Sequence, residues 1–291
     1  MSGRIAVFGG LLLDRYFKVD RWPARSQDGY VTDEQTFVGG CAVNMAVTAA
    51  NLGGEACVVS AVGDDKAGID ILEYMHIHGL SGKYVYKSEG TTGSCLVFSE
   101  PDGERTFLTK KGVEGDFTDA MMEDICRDGC DVAAVTGYYL LNLDAFRVME
   151  CLKRLKSQGT KILFDPSPLV GDINKEYAAE IVNLADIITP NQTELELLGG
   201  DKIIPKLVQM GKVIVYKKGA SGGQVYSQES NFEYNALTCE VVDTTGAGDS
   251  FAGALAWAFA EGLALKESIE LAVKCSAKTV GVYGPHGFWR L

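Results

Sequence analysis

The chain has 291 residues, 46% of them apolar, and a formal net charge of −12 at pH 7. That length buries a large core in one or two domains, and an α/β sheet enzyme often uses this much for one. The acidity speaks against nucleic acid and anionic membranes, which need clustered Lys and Arg, and eight scattered cysteines with no Cys-x-x-Cys pair read as reduced thiols of a cytoplasmic protein.

In chain order, Ile5–Phe8 reads as a first strand. Asp14 and Arg15 follow too soon for a signal-peptide core, and nowhere do roughly 18 apolar residues run together, so no membrane span is expected. Residues 15–38 carry few helix formers. Helical patterns at Val43–Leu52 and Ala67–His78 flank a strand at Cys57–Val62, and Gly93–Thr109 then alternates around Pro101-Asp102-Gly103, a hairpin signal. Strands at Val132–Thr136, Lys161–Phe164, Ile187–Thr189 and Val213–Lys217 alternate with helices at Leu143–Gln158, Lys175–Leu184 and Thr193–Leu198. Such alternation predicts a mainly parallel sheet covered on both faces. The two exceptional stretches, about 15–38 and 91–110, read as a small β-lid formed by insertions in a single domain spanning 1–291.

The run Asp243-Thr244-Thr245-Gly246-Ala247-Gly248-Asp249-Ser250-Phe251-Ala252-Gly253-Ala254 opens an apolar helix. Small residues let backbone N–H groups converge where a helix start leaves them unpaired and partly positive, so Gly246, Ala247, Gly248 and Asp249 predict an anion hole. The run lacks the Gly-Lys-Ser/Thr of a Walker motif, and Gly-x-Gly-x-x-Gly fails at Phe251. A plain capped helix is the competing reading. None of the three histidines lies in a motif, so Asp249, expected to be ionised at neutral pH, is the candidate general base.

That run closely resembles the second signature of the PfkB, or ribokinase-like, carbohydrate kinase family. Gly39-Gly40-Cys41-Ala42-Val43-Asn44 resembles the first signature, Asn191-Gln192-Thr193-Glu194 the Asn-x-x-Glu motif between them, and Asp14 the aspartate after the first strand. The resemblance implies a three-layer α/β/α fold with a β-lid, and ATP-dependent phosphorylation of a primary hydroxyl on a small carbohydrate. It implies acceptor contacts from Asp14, Gly39, Gly40 and Asn44, and nucleotide contacts from Asn191, Lys217, Gly219, Gly246 and Gly248. Ala277–Gly284 would close over the adenine. Asn191 and Glu194 would organise Mg2+ through its waters, and Asp243, Thr245 and Gly284 a monovalent cation such as K+. Arg105 and Thr91–Ser94, in the lid, would approach substrate on closure, and a homodimer would form through the lid.

Simpler readings stand beside these. Asn191 with Glu194 has the form of a capping box, Asn44 could cap its own helix, Gly39-Gly40 could be a turn, and Asp165 before Pro166 could be a turn residue rather than a helper of the metal. Where ribokinases carry Asn, Lys and a substrate-facing Glu, this chain has Leu12, Cys41 and the segment Thr136-Gly137-Tyr138-Tyr139. Three lost polar contacts at about 1–3 kcal/mol each argue against ribose itself. Tyr138 and Tyr139 offer a stacking surface, so a nucleoside acceptor is the runner-up. A silent nucleotide or sugar sensor is the rival from another class, disfavoured by the intact set of Asp249, Asn191 and Glu194.

Overall fold

Along β1 (Arg4–Phe8), Ile5 and Val7 turn to one face and Ala6 and Phe8 to the other, and all four are fully buried. A strand apolar on both faces needs cover on both. The computed structural model describes residues 2–100, 105–141 and 144–286. After β1 come β2 (Leu12–Val19), β3 (Val31–Gly39), α1 (Cys41–Asn51), β4 (Glu55–Gly63), α2 (Lys66–Ile77) and β5 (Val85–Ser88). Next are β6 (Gly93–Ser99), β7 (Arg105–Lys110), α3 (Asp119–Asp128), β8 (Val132–Thr136), α4 (Ala145–Ser157), β9 (Lys161–Asp165) and α5 (Lys175–Leu184). The chain continues through β10 (Ile187–Ile188), α6 (Gln192–Leu198), α7 (Ile204–Gln209), β11 (Val213–Lys217), β12 (Gly223–Tyr226) and β13 (Asn231–Tyr234). Two long helices follow, α8 (Ala247–Ala260) and α9 (Leu265–Val280).

The main sheet has the order β13-β12-β11-β10-β9-β8-β1-β4-β5, parallel from β11 to β5, with β12 and β13 added antiparallel at one edge. Ile5 and Val7 share a core with α1, α2, α8 and α9, while Ala6 and Phe8 share the other with α3, α4, α5 and α7. The three-layer α/β/α expectation holds. Helix α5 and strands β8 and β11 have the expected limits, and the other anticipated elements differ by one to three residues, β10 being a two-residue strand. The sequence pattern marks no helix at α3, α7 or α9 and no strand at β5, β12 or β13. These three strands are four residues each, too short for hydrophobic alternation to mark them.

A separate four-stranded sheet has the order β3-β2-β6-β7. Its strands occupy the two exceptional stretches, with β6 and β7 antiparallel from Ser94 opposite Lys110 to Ser99 opposite Arg105. The hairpin signal Pro101-Asp102-Gly103 and the helix start expected at Leu143 lie outside the described residues. Alternation places Asp14, Tyr16, Cys95, Val97 and Arg105 on one face. On that face Tyr16 meets Phe37 and Tyr283 edge-on, with ring centres 5.2 and 5.6 Å away, so the small sheet rests on the segment after α9.

Candidate active site

Asp14 lies in β2, a lid strand, with its carboxylate over Gly39: a Cβ on that glycine would stand 2.0 Å from Asp14 Oδ2. Gly40, at φ +103°, leads into α1, where a Cβ would meet the Gly10 carbonyl oxygen at 2.3 Å. The pair is therefore more than a turn, because it lets backbone and carboxylate crowd together.

Asn44 does not cap its own helix; Gly40 occupies that position. Its amide instead reaches α8, donating from Nδ2 to Asp249 Oδ2 at 2.7 Å, and its buried Oδ1 has no partner among the described residues. The nearby Cys41 thiol also lowers the proton affinity of Asp249. Burial pushes Asp249 up to about 6, against the lowering effect of Asn44, so the carboxyl is mostly ionised at pH 7 but is not held low by the helix end. Asp14 is pushed up to about 7, by burial first and by the charge of Asp249 second.

The loop before α8 turns at Gly246, whose φ is +75° and whose Cβ would stand 1.8 Å from the Pro285 carbonyl oxygen. Among the described residues the N–H groups of Gly246, Gly248 and Asp249 have no partner, while that of Ala247 turns back to the Thr244 carbonyl at 3.3 Å. Lys217 adds a cation here: an ideal Cβ on Gly248 lies 3.7 Å from its Nζ. The ammonium pairs with Asp165 at 2.7 Å, and although burial lowers its proton affinity, Asp165 and Glu194 more than compensate and raise it overall. Asp165 also accepts from Thr189 Oγ1, so it is an ion-pair residue and not merely a turn.

Asn191 and Glu194 form a complete capping box on α6. Asn191 Oδ1 accepts from the Glu194 N–H at 3.0 Å, and the Glu194 carboxylate accepts from the Asn191 N–H and Nδ2, both at 2.9 Å. Burial raises the Glu194 carboxyl above its usual range. The capping role does not withdraw the pair from the site, since both residues line a cavity of about 750 Å3 that runs from Cys41 and Asp249 past Lys217 and Gly219 to Leu237 and Ala277. Asp14, Gly39, Gly40 and Asn44 do not line it, although Asn44 bonds to Asp249, which does.

Mg2+ suits this donor set. Glu194, Asp165 and Asp249 bring carboxylates to one cavity beside unpartnered N–H groups, and Mg2+ retains waters and needs few direct protein ligands. Among the described residues no group of three or more His, Cys, Asp or Glu forms a closed metal cage. The suggested monovalent cation fits poorly. Asp243, fully buried, accepts from the Thr245 N–H at 2.8 Å and the Gly284 N–H at 3.1 Å, and Arg105 Nη2 stands 3.2 Å away.

The structure separates the two tyrosines expected to share a stacking surface, and adds polar groups that the sequence reading did not single out. Tyr138 lines the cavity, but Tyr139 is buried beneath Gly9 and Gly10 and packs edge-on to Phe117, so the two tyrosines do not form one stacking surface. Glu114 is a buried carboxylate beside Gly10 and Gly93, raised by burial, and its flanking glycines were the available signal. Thr136 and Ser167 line the cavity with hydroxyls that have no partner among the described residues.

A helix start with unpartnered N–H groups and its own carboxylate, beside an α/β sheet and a small β-sheet, has the architecture of a phosphotransferase. The chain belongs to the pfkB family of carbohydrate kinases, whose model matches residues 2–289. It is 28% identical over 289 residues to an uncharacterized sugar kinase, YegV, of Escherichia coli (strain K12), covering 96% of this chain and 89% of that protein. Its fold is similar to that of a putative ribokinase II from E. coli solved with ATP and Mg2+, with a TM-score of 0.85 at 24% identity over 98% of this chain and 94% of that one. It is similar also to a Burkholderia thailandensis nucleoside kinase in complex with inosine, with a TM-score of 0.82 at 19% identity over 98% and 93%. No helix among the described residues is long and apolar enough to cross a membrane.

Proposed function

We propose that the protein is an ATP-dependent, Mg2+-requiring kinase that phosphorylates a primary hydroxyl of a small carbohydrate, working as one domain over 1–291 with the four-stranded sheet as its lid. The observation that carries this reading is that Asp249 lines the large cavity while Asn44, which does not, holds it at 2.7 Å. A base there meets an acceptor hydroxyl on one flank and a phosphoryl group on the other.

Asp14, Asn44 and the backbone of Gly39 and Gly40 hold the acceptor. A substrate hydroxyl satisfies Asn44 Oδ1, which has no partner among the described residues and otherwise costs free energy. Asp249 accepts the proton of the attacking hydroxyl. The N–H groups of Gly246, Gly248 and Asp249, with Ala247 beside them and Lys217 behind, stabilise charge that develops on the transferred group. When bound, Mg2+ would neutralise the phosphate oxygens, and Asn191 and Glu194 orient its waters. The base and ribose of ATP are assigned to the part of the cavity lined by Gly219 and Ala277.

A nucleoside acceptor is the second reading, supported by the likeness of fold to a nucleoside kinase solved with inosine. We assign a homodimer to the outer lid face, where Phe17 stacks on Phe98 with ring centres 5.3 Å apart and Leu108 is half-exposed; sedimentation of Leu108→Lys checks it. The test of function is a panel of sugars and nucleosides scored by ADP release, with Asp249→Asn as control. Turnover on no member, or turnover that survives in the control, overturns the reading.

A further inference from the structure

We infer that Arg105 of the lid supplies the positive charge that Asp243 requires, in place of a bound monovalent cation, so that this protein needs no K+. Asp243 begins the loop that turns at Gly246, and its side chain is wholly shielded from solvent. A carboxylate so placed is costly unless paired and hydrogen-bonded. Both oxygens are engaged: Oδ1 takes the Thr245 N–H at 2.8 Å and faces Arg105 Nη2 at 3.2 Å, and Oδ2 takes the Gly284 N–H at 3.1 Å. Among the described residues Arg105 is the only cation within ion-pair distance of Asp243. Its second nitrogen, Nη1, donates to Thr244 Oγ1 at 3.0 Å, which fixes the planar guanidinium against the loop at two points.

Strand register explains how a lid residue arrives there. Arg105 pairs with Ser99 at the far end of the β6–β7 ladder, on the face that carries Val97 and Tyr16. Tyr16 and Phe37 seat that face on Tyr283, and Gly284 lies so close under Phe37 that a Cβ would stand 2.8 Å from its Cε1. A free ion would be an independent ligand of Asp243, whereas this charge is covalently part of the lid. The loop that presents Gly246, Gly248 and Asp249 is therefore neutralised only while the small sheet is down, which couples lid position to the anion hole.

The inference goes beyond the kinase reading, and its main test needs no turnover. Thermal melting of the full chain is compared in KCl and in tetramethylammonium chloride at equal ionic strength. Wild type should melt at the same temperature in both. Arg105→Gln should melt roughly 5–10 °C lower in tetramethylammonium and recover in KCl, while Arg105→Lys, which keeps the charge, should stay near wild type in both salts. Affinity for a non-hydrolysable ATP analogue should follow the same order, falling about ten-fold in Arg105→Gln without K+. Saturable stabilisation of wild type by K+, or an Arg105→Gln protein indistinguishable from wild type in both salts, overturns the inference. If the analogue fails to bind wild type, the kinase reading fails, while the melting comparison still decides the role of Arg105.

Discussion

Gly253 of α8 meets Met45 of α1 backbone to backbone: a Cβ on the glycine would stand 2.4 Å from the Met45 carbonyl oxygen. This approach brings Asn44, one residue earlier, within hydrogen-bond reach of Asp249, one turn before Gly253. Gly253→Ala must push the helices apart, because the obstacle is backbone and cannot swing away. The variant should lose about 1–3 kcal/mol in urea unfolding and lose turnover with it. A variant as stable and as active as wild type would show that the close approach is dispensable.

Asp249→Asn should lower kcat by roughly two to four orders of magnitude, since it removes the proton acceptor while the Asn44 Nδ2 bond can be kept. Binding of an ATP analogue, measured by calorimetry, should persist. In wild type the rate should rise with pH through about 6 as Asp249 ionises. A rate independent of pH across that range would argue for another base.

Asp14 links pH to stability with an uncommon sign. Its folded-state value, pushed to about 7 by burial and then by Asp249, lies above the unfolded 3.8, so the folded protein binds more protons between these values. Stability from this group is therefore full below about pH 4 and declines as pH rises to about 7. Asp14→Asn should match wild type near pH 4 and exceed it at pH 8 by on the order of 2–4 kcal/mol. His286, pushed down to about 4 by burial, has the opposite slope, so the comparison must be made between proteins and not along one curve. The same variant should raise the acceptor KM with little change for ATP.

Glu194→Gln should cost about 1 kcal/mol, because both carboxylate oxygens accept hydrogen bonds from Asn191 and a carboxamide offers only one acceptor. It should also raise the Mg2+ concentration needed for half-maximal activity. A lower melting temperature with unchanged Mg2+ dependence would leave Glu194 as a cap alone.

The sequence alone determined what is local. Gly246 must be glycine because its own backbone is left-handed, α8 begins beside it because small residues and Asp249 suit a helix start, and Asn191 and Glu194 cap α6 because three residues separate them. The alternation of strand and helix likewise encoded the parallel sheet, and the two irregular stretches the second one. Tertiary structure alone decided the rest: that Asn44 serves Asp249 rather than its own helix, that Tyr138 and Tyr139 part company, and that Arg105 finds Asp243. These pairings join residues distant in the chain, and no local pattern carries them. The proton affinities of Asp14 and Asp249 belong with them, since they are set by burial and by the charges that packing brings near, and a carboxylate in a sequence has neither until the chain has folded around it.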